Sequence, residues 1–316
     1  MFSLIKAIQN LLSELKKKKG LWFTILTVLS IAGISLSMYL LTTMTTSIAK
    51  DVYVNMSVTY KNNLEDKIED KQKEFRKIIL GLQTNDIFKN SLNDKSIIDP
   101  ILELYNKNLV EMGFDGISLV FYSTVNQTNQ YRNSINTVIN RKIPSFGMEI
   151  LPEGPSIVYL HPVLSGDNVL GVIEIKENLL SLKKDFERSK QSIFLFLIQE
   201  KMMNNLAIDA KNGRYRPIVD DLRIEEQKYD GSFFASVTED GSDGFKELRN
   251  SGYLVNKEYF KTYKEVVDIN GVTVGYIILG EKVQGSNGFV NIVDNMTKSV
   301  TMIALGLVIS ILLFMF

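Results

Sequence analysis

Residues 156–176, SIVYLHPVLSGDNVLGVIEIK, decide how this chain folds. Two runs rich in β-branched residues, 156–164 and 169–176, flank Ser165-Gly166-Asp167-Asn168, a cluster of the residue types that close tight turns. The stretch predicts two antiparallel strands joined by a short turn. Side chains alternate along a strand, so Ile157, Tyr159, His161 and Val163 share one face while Val158, Leu160 and Pro162 share the other. The mixed face bearing Tyr159 and His161 is the expected pocket lining, and the apolar face is expected core. In the run GISLVFY at 116–122, Ser118, Val120 and Tyr122 likewise oppose Ile117, Leu119 and Phe121.

The same plan recurs further on. Residues 259–267 read as a strand, Asp268-Ile269-Asn270-Gly271 as a turn, and 272–279 (VTVGYIIL) as the strand that returns. Asn-Gly suits such a turn because both residues tolerate positive φ. Gly171 and Gly275 occupy matching places in LGVIEI and VGYIIL. Runs 192–198 (SIFLFLI) and 233–237 read as further strands of the second unit, with a polar connector carrying Arg214, Tyr215 and Arg216 before the latter. Both arginines are expected on a solvated connector.

Helical segments surround these strands. From 43 to 80 the chain contains neither glycine nor proline, and Val54, Val58, Leu64, Ile68, Phe75, Ile79 and Leu82 recur near helical spacing. One long helix over 43–85 is expected, its stripe packing on the domain it leads into. Residues 44–60 have less to pack on and suit a seam with a second copy, so a homodimer is expected. After a polar turn at 90–96, helices are read over 100–112, within 131–140, over 178–190 and over 286–298. The fold class is therefore α+β: a first module over 86–190 and a second over 191–285, each ending in a hairpin and reached by helix.

Two apolar runs lie outside this region. Residues 21–42 number 22 without a charge, long enough as a helix to cross the roughly 30 Å hydrocarbon core of a bilayer. Lys6 and Lys16, Lys17, Lys18 and Lys19 precede it against the single acid Glu14, which places residues 1–20 in the cytoplasm. A cleaved signal peptide would have a shorter apolar core and a small-residue cleavage site. Residues 299–316 form a second uncharged run behind Lys298, and the chain stops within it without a flanking anchor. The expectation is a truncated second span, with any output lying beyond residue 316.

Composition removes whole classes of function. Lysine plus arginine equals aspartate plus glutamate at 36 each, so no basic field points to nucleic acid. Without cysteine there is no disulfide, thiolate nucleophile or cysteine-held metal. His161 is the only histidine, which leaves no imidazole pair for a transition metal and one option for a Ser-His-Asp site. No paired carboxylates or phosphate loop stand out, and EDGSDGF at 239–245 is too short for a calcium loop. No catalytic residue, metal site or cofactor is expected, and the segment reads as non-enzymatic.

Residues 131–175 read YRNSINTVINRKIPSFGMEILPEGPSIVYLHPVLSGDNVLGVIEI. They contain aromatic-Arg at Tyr131-Arg132, then Gly147-Met148-Glu149, a strand ending Pro162-Val163, and Gly-x-x-Glu from Gly171 to Glu174. In this order and spacing they resemble the membrane-distal module of the double Cache sensor domain of bacterial transmembrane receptors. That family comprises chemoreceptors, sensor kinases and cyclic-dinucleotide enzymes. The resemblance implies two PAS-like antiparallel-sheet modules on a long N-terminal helix, flanked by two transmembrane helices. It further implies residues 43–298 outside the bacterial cytoplasmic membrane, contact with the lipid bilayer at both ends, and a small organic solute in the distal module. Tyr159, Leu160 and His161 stand where the subgroup often carries arginine and glycine.

The ligand-binding residues expected on this basis are Arg132, Tyr122, Tyr131, Glu149, Tyr159 and His161. A guanidinium can hold a carboxylate by two parallel bonds, so Arg132 would suit an anionic solute; the competing role is an ion pair with Glu149. His161 can equally be a satisfied strand residue, and Glu174 can pair with a basic side chain or face solvent. The expected function is the solute-sensing segment of a signal-transducing receptor. The alternative is a polysaccharide chain-length regulator or another two-span assembly protein. Chain-length regulators place prolines near the second span, whereas the last proline here is Pro217.

Overall fold

The computed structural model describes residues 19–283, apart from 93, 115, 125–130, 191 and 226–227, together with scattered helical residues between 295 and 310. Contacts divide the chain into two units, Asn55–Gly285 and the terminal segments Met1–Val54 with Ser286–Phe316. Helix α1 (Lys19–Thr84) covers the expected stalk. Its stripe divides: Leu64, Phe75, Ile79 and Leu82 are buried, whereas Val54 and Val58 are exposed. Met56 and Tyr60 are buried in their place.

Short helix α2 (Asp86–Ser91) follows, with the Asn85 side chain accepting from the amides of Ile87 and Phe88. The polar stretch read as a turn thus divides between the end of α2 and the start of α3 (Lys95–Glu111). Strand β1 (Ile117–Ser123), helix α4 (Asn133–Arg141), strands β2 (Ser145–Leu151), β3 (Gly154–Ser165) and β4 (Asn168–Asn178), and helix α5 (Leu179–Lys190) come next. The strands form an antiparallel sheet in the order β1-β4-β3-β2.

Strand β5 (Ile193–Gln199), a 3₁₀ turn at Glu200–Asn205, helix α6 (Ile208–Lys211), and strands β6 (Arg216–Val219) and β7 (Leu222–Ile224) lead to helix α7 (Gly231–Ser251). Strands β8 (Tyr253–Val255), β9 (Tyr259–Val267) and β10 (Thr273–Lys282) complete a six-stranded sheet in the order β6-β7-β5-β10-β9-β8. All its pairings are antiparallel. Both expected hairpins are present, and each carries a register shift beside the matched glycine. A Cβ on Gly171 would run into the Phe121 ring and the Tyr122 carbonyl, and one on Gly275 into the Leu197 carbonyl. These glycines let neighbouring backbones close over a bulge.

Two expectations change. Residues 233–237 are helix α7, not a strand: Asp230 Oδ1 accepts from Phe233 N at 2.8 Å, and Phe233, Ser236, Val237, Phe245 and Leu248 are the buried positions. The short window FFASV could not reveal that period. Strands β2, β6, β7 and β8 were not anticipated, being short or interrupted by Gly147 and Pro217. Among the described residues no helix is long and apolar enough to cross a membrane; α1 runs through 21–42, where many side chains lie outside the described residues. Residues 1–18 and most of 286–316 also lie outside the described residues.

Candidate functional site

The four-stranded sheet has two dissimilar faces. Register aligns Leu160 on β3 with Glu174 on β4 and Val120 on β1, and the next row on the same face holds Pro162, Val172 and Tyr122. Helix α4 covers this face, with Ile135 and Val138 packed among Leu151, Val158, Leu160 and Val172. The other face carries Phe146, Tyr159, His161 and Glu177 towards α1. There Phe75 meets the Phe146 ring edge-on at 6.4 Å, and Lys71 pairs with Glu177 at 3.1 Å.

Arg132 stands at the N-terminal cap of α4 with extended backbone, φ −60° and ψ 155°, and its side chain gives that helix no cap bond. Its guanidinium turns to the sheet instead. Nη2 donates to Glu174 Oε1 at 2.5 Å, and Nη1 to Glu174 Oε2 at 3.3 Å and to the Tyr122 hydroxyl at 3.2 Å. Nε lies 3.0 Å from both Glu149 Oε2 and Ser134 Oγ, and Nη2 reaches the same Glu149 oxygen at 3.0 Å. The Tyr122 hydroxyl donates to Glu174 Oε2 at 2.6 Å. Tyr131 crosses the Tyr122 ring edge-on at 5.3 Å and donates to the Ser123 carbonyl at 2.7 Å.

One guanidinium thus serves two carboxylates, of which Glu174 is fully buried and Glu149 nearly so. Burial opposes the charge of Arg132, but Glu174 and then Glu149 outweigh it and raise its pKa. Burial also raises the Glu149 pKa; Arg132 and a Ser134 hydrogen bond counter it in part, while Glu174 adds to the rise. The Tyr122 hydroxyl is held well above the ordinary phenol range by burial and then Glu174. All three Arg132 nitrogens already lie within 3.3 Å of an acceptor, so an anionic solute would compete with Glu149 and Glu174 for it.

Beside this network is a cavity of about 400 Å³. Arg132, Asn133, Ser134, Glu149, Ile150, Leu151 and Pro152 line it from the four-stranded side, and Asn205, Asp268, Asn270 and Val274 from the other. Its size falls within the range of small-molecule pockets. Among the described residues no group of three or more histidine, aspartate or glutamate side chains could hold a metal ion.

The structure brings together Tyr122, Tyr131, Arg132 and Glu149. It sets Tyr159 and His161 on the opposite face of the sheet, towards α1, away from the cavity beside Arg132. Tyr159 is buried with its ring 6.4 Å from Phe146 and 6.0 Å from His161. Among the described residues the buried Nδ1 of His161 has no hydrogen-bond partner. Burial, and then the Arg76 charge on α1, lower its pKa. Alternation told which residues share a face; only the docking of α1 and α4 tells what covers each. Ser134, Asn205, Asp268 and Asn270 were not anticipated as lining, because Asp268 and Asn270 read as turn formers alone.

The six-stranded sheet holds its own buried charge. Lys261 Nζ donates to the Ser236 carbonyl at 2.9 Å and hydroxyl at 2.7 Å, and it pairs with Asp240. Burial lowers its pKa despite those partners.

No family model and no curated protein matches the chain. Solved structures similar to it include the following extracellular, ligand-binding and sensor domains. The extracellular domain of the putative histidine kinase vpHK1S-Z8 has a TM-score of 0.43 at 10% identity, covering 75% of this chain and 93% of that one. The ligand-binding domain of Campylobacter jejuni chemoreceptor Tlp3, in complex with L-valine, has a TM-score of 0.43 at 9% identity, covering 75% and 95%. The V. cholerae histidine kinase DctB sensor domain has a TM-score of 0.39 at 11% identity, covering 73% and 98%.

Proposed function

We propose that this chain is the extracytoplasmic solute-sensing segment of a bacterial membrane receptor. Residues 21–42 and 299–316 anchor it, a small organic solute binds in the module over 86–190, and the helices carry the signal to a cytoplasmic output. The observation that carries the reading is the cavity of about 400 Å³ beside the buried Arg132–Glu149–Glu174 network. A buried ion cluster contributes little net stability compared with an apolar core, yet it holds polar groups in fixed positions at the edge of a void.

Within the terminal unit, Val28, Ile31, Leu36, Tyr39, Leu40, Met302, Ile303 and Leu305 are at least half exposed. That much apolar surface at helical positions is suited to lipid. In the network, Arg132 holds Glu149 and Glu174 in place, and Tyr122 and Tyr131 brace it.

The test is thermal unfolding of the whole chain in detergent with a panel of small acids, amines and neutral polyols. A solute at a hundred times its Kd stabilises by about 2.7 kcal/mol. The expected result is a rise in Tm with at least one class of solute, diminished in Arg132→Ala. No response to any of them contradicts the reading and favours a two-span assembly protein without ligand.

A further inference from the structure

The two sheets meet along one edge. β2 closes the four-stranded sheet, and its Met148 forms an isolated parallel bridge with Asp268 in the β9–β10 turn. Just past β2, the Pro152 carbonyl accepts from Ala207 N at 2.9 Å. Gly147 packs against Ile269 so closely that a Cβ there would stand 3.1 Å from Ile269 Cγ1. The cavity beside Glu149 lies at this joint, with lining residues from both sides.

The charges of that lining do not balance. The single positive charge of Arg132 faces both Glu149 and Glu174. Asp268 is the second carboxylate of the lining itself, Glu174 lying behind Arg132 outside it, and no further cation is among the lining residues. The turn occupies only Asp268 Oδ1, which accepts from Asn270 N and Val272 N at 2.8 Å each. An anion entering here would meet excess negative charge and a guanidinium already engaged by two carboxylates. A cation would relieve the repulsion between carboxylates on the two walls.

Resting on the sensing reading, we propose that this cavity binds a small organic cation, an ammonium or guanidinium compound, between Glu149 and Asp268. The bound cation ties the β9–β10 turn to β2, so occupancy controls how firmly the two sheets are joined. A ligand shifts a conformational equilibrium only through its differential affinity, and this one gains its full contacts only when the joint is closed.

A series of equal chain length separates the possibilities: putrescine, 1,4-butanediol and succinate, each titrated against the whole chain in detergent at constant ionic strength. Putrescine is expected to raise Tm and to slow amide exchange at Ala207, and butanediol and succinate to do neither. Asp268→Asn keeps an oxygen for the turn and should weaken the putrescine midpoint about tenfold, the equivalent of about 1.4 kcal/mol. Asn270→Asp adds a carboxylate to the lining and should tighten it, which keeps the test decisive if Asp268→Asn folds poorly.

Stabilisation by succinate, lost in Arg132→Ala, overturns the cation assignment and leaves the sensing reading standing. A putrescine effect indifferent to both Asp268→Asn and Asn270→Asp overturns it as well, because the cation would then bind elsewhere. Silence from this series and from the wider panel overturns both readings.

Discussion

Arg132 is held from three strands, by Tyr122 on β1, Glu149 on β2 and Glu174 on β4. Removing it strands a fully buried Glu174. Loss of one partner from a buried ion pair costs about 3–5 kcal/mol, so Arg132→Ala should lower the chemical-denaturation midpoint by a corresponding amount. Arg132→Ala with Glu174→Gln should recover part of that loss, because Glu149 is then the one network carboxylate left without its cation. His161 provides a second test at this scale. Its pKa is lowered by burial and by Arg76, so as pH falls through about 6.5 the unfolded chain takes up the proton first. Stability should therefore decline with falling pH in that window, and the decline should be shallower in His161→Gln when urea midpoints are compared across pH. The Arg132–Glu149 pair was legible in the sequence as one of two roles for the arginine. The face holding Tyr159 and His161 was not, because a strand's alternation is silent about which helix lies over which side.

The elements read most clearly were those with a strict period and a punctuated end. Both hairpins were visible from their turns, and the match between Gly171 and Gly275 corresponds to a shared device, a register shift beside a glycine. Alanine at either position forces a Cβ into backbone or ring atoms of the next strand, and overpacking of this kind costs about 1–3 kcal/mol. Gly171→Ala and Gly275→Ala should each lower Tm, whereas Gly166→Ala is limited by its φ of 58° and not by space. Helix α7 was misread because FFASV satisfies a strand as readily as one turn of helix. Its start is decided by Asp230, and Asp230→Ala should cost about 1 kcal/mol of stability. Strands β6, β7 and β8 are only three or four residues long, and β-pairing supplied from elsewhere in the sheet holds them.

Across the unit Asn55–Gly285, helix α4, the two antiparallel sheets and the joint at β2 form the frame around the cavity. The α+β class, the long helix and the order of the two hairpins were legible from periodicity and turn chemistry. The joint was not, since Met148 pairs with Asp268 across 120 residues and neither carries a mark of that contact in its own neighbourhood. The central claim is that a small solute occupies the cavity on the α4 side of the sheet. Hydrogen exchange of the whole chain, measured with and without a solute that raises its Tm, tests this most directly. Slowed exchange in β2, the 205–208 segment and the β9–β10 turn is the predicted result. Slowed exchange confined to β3 around Tyr159 and His161 and to the α1 residues packed on them, or none anywhere, would contradict it.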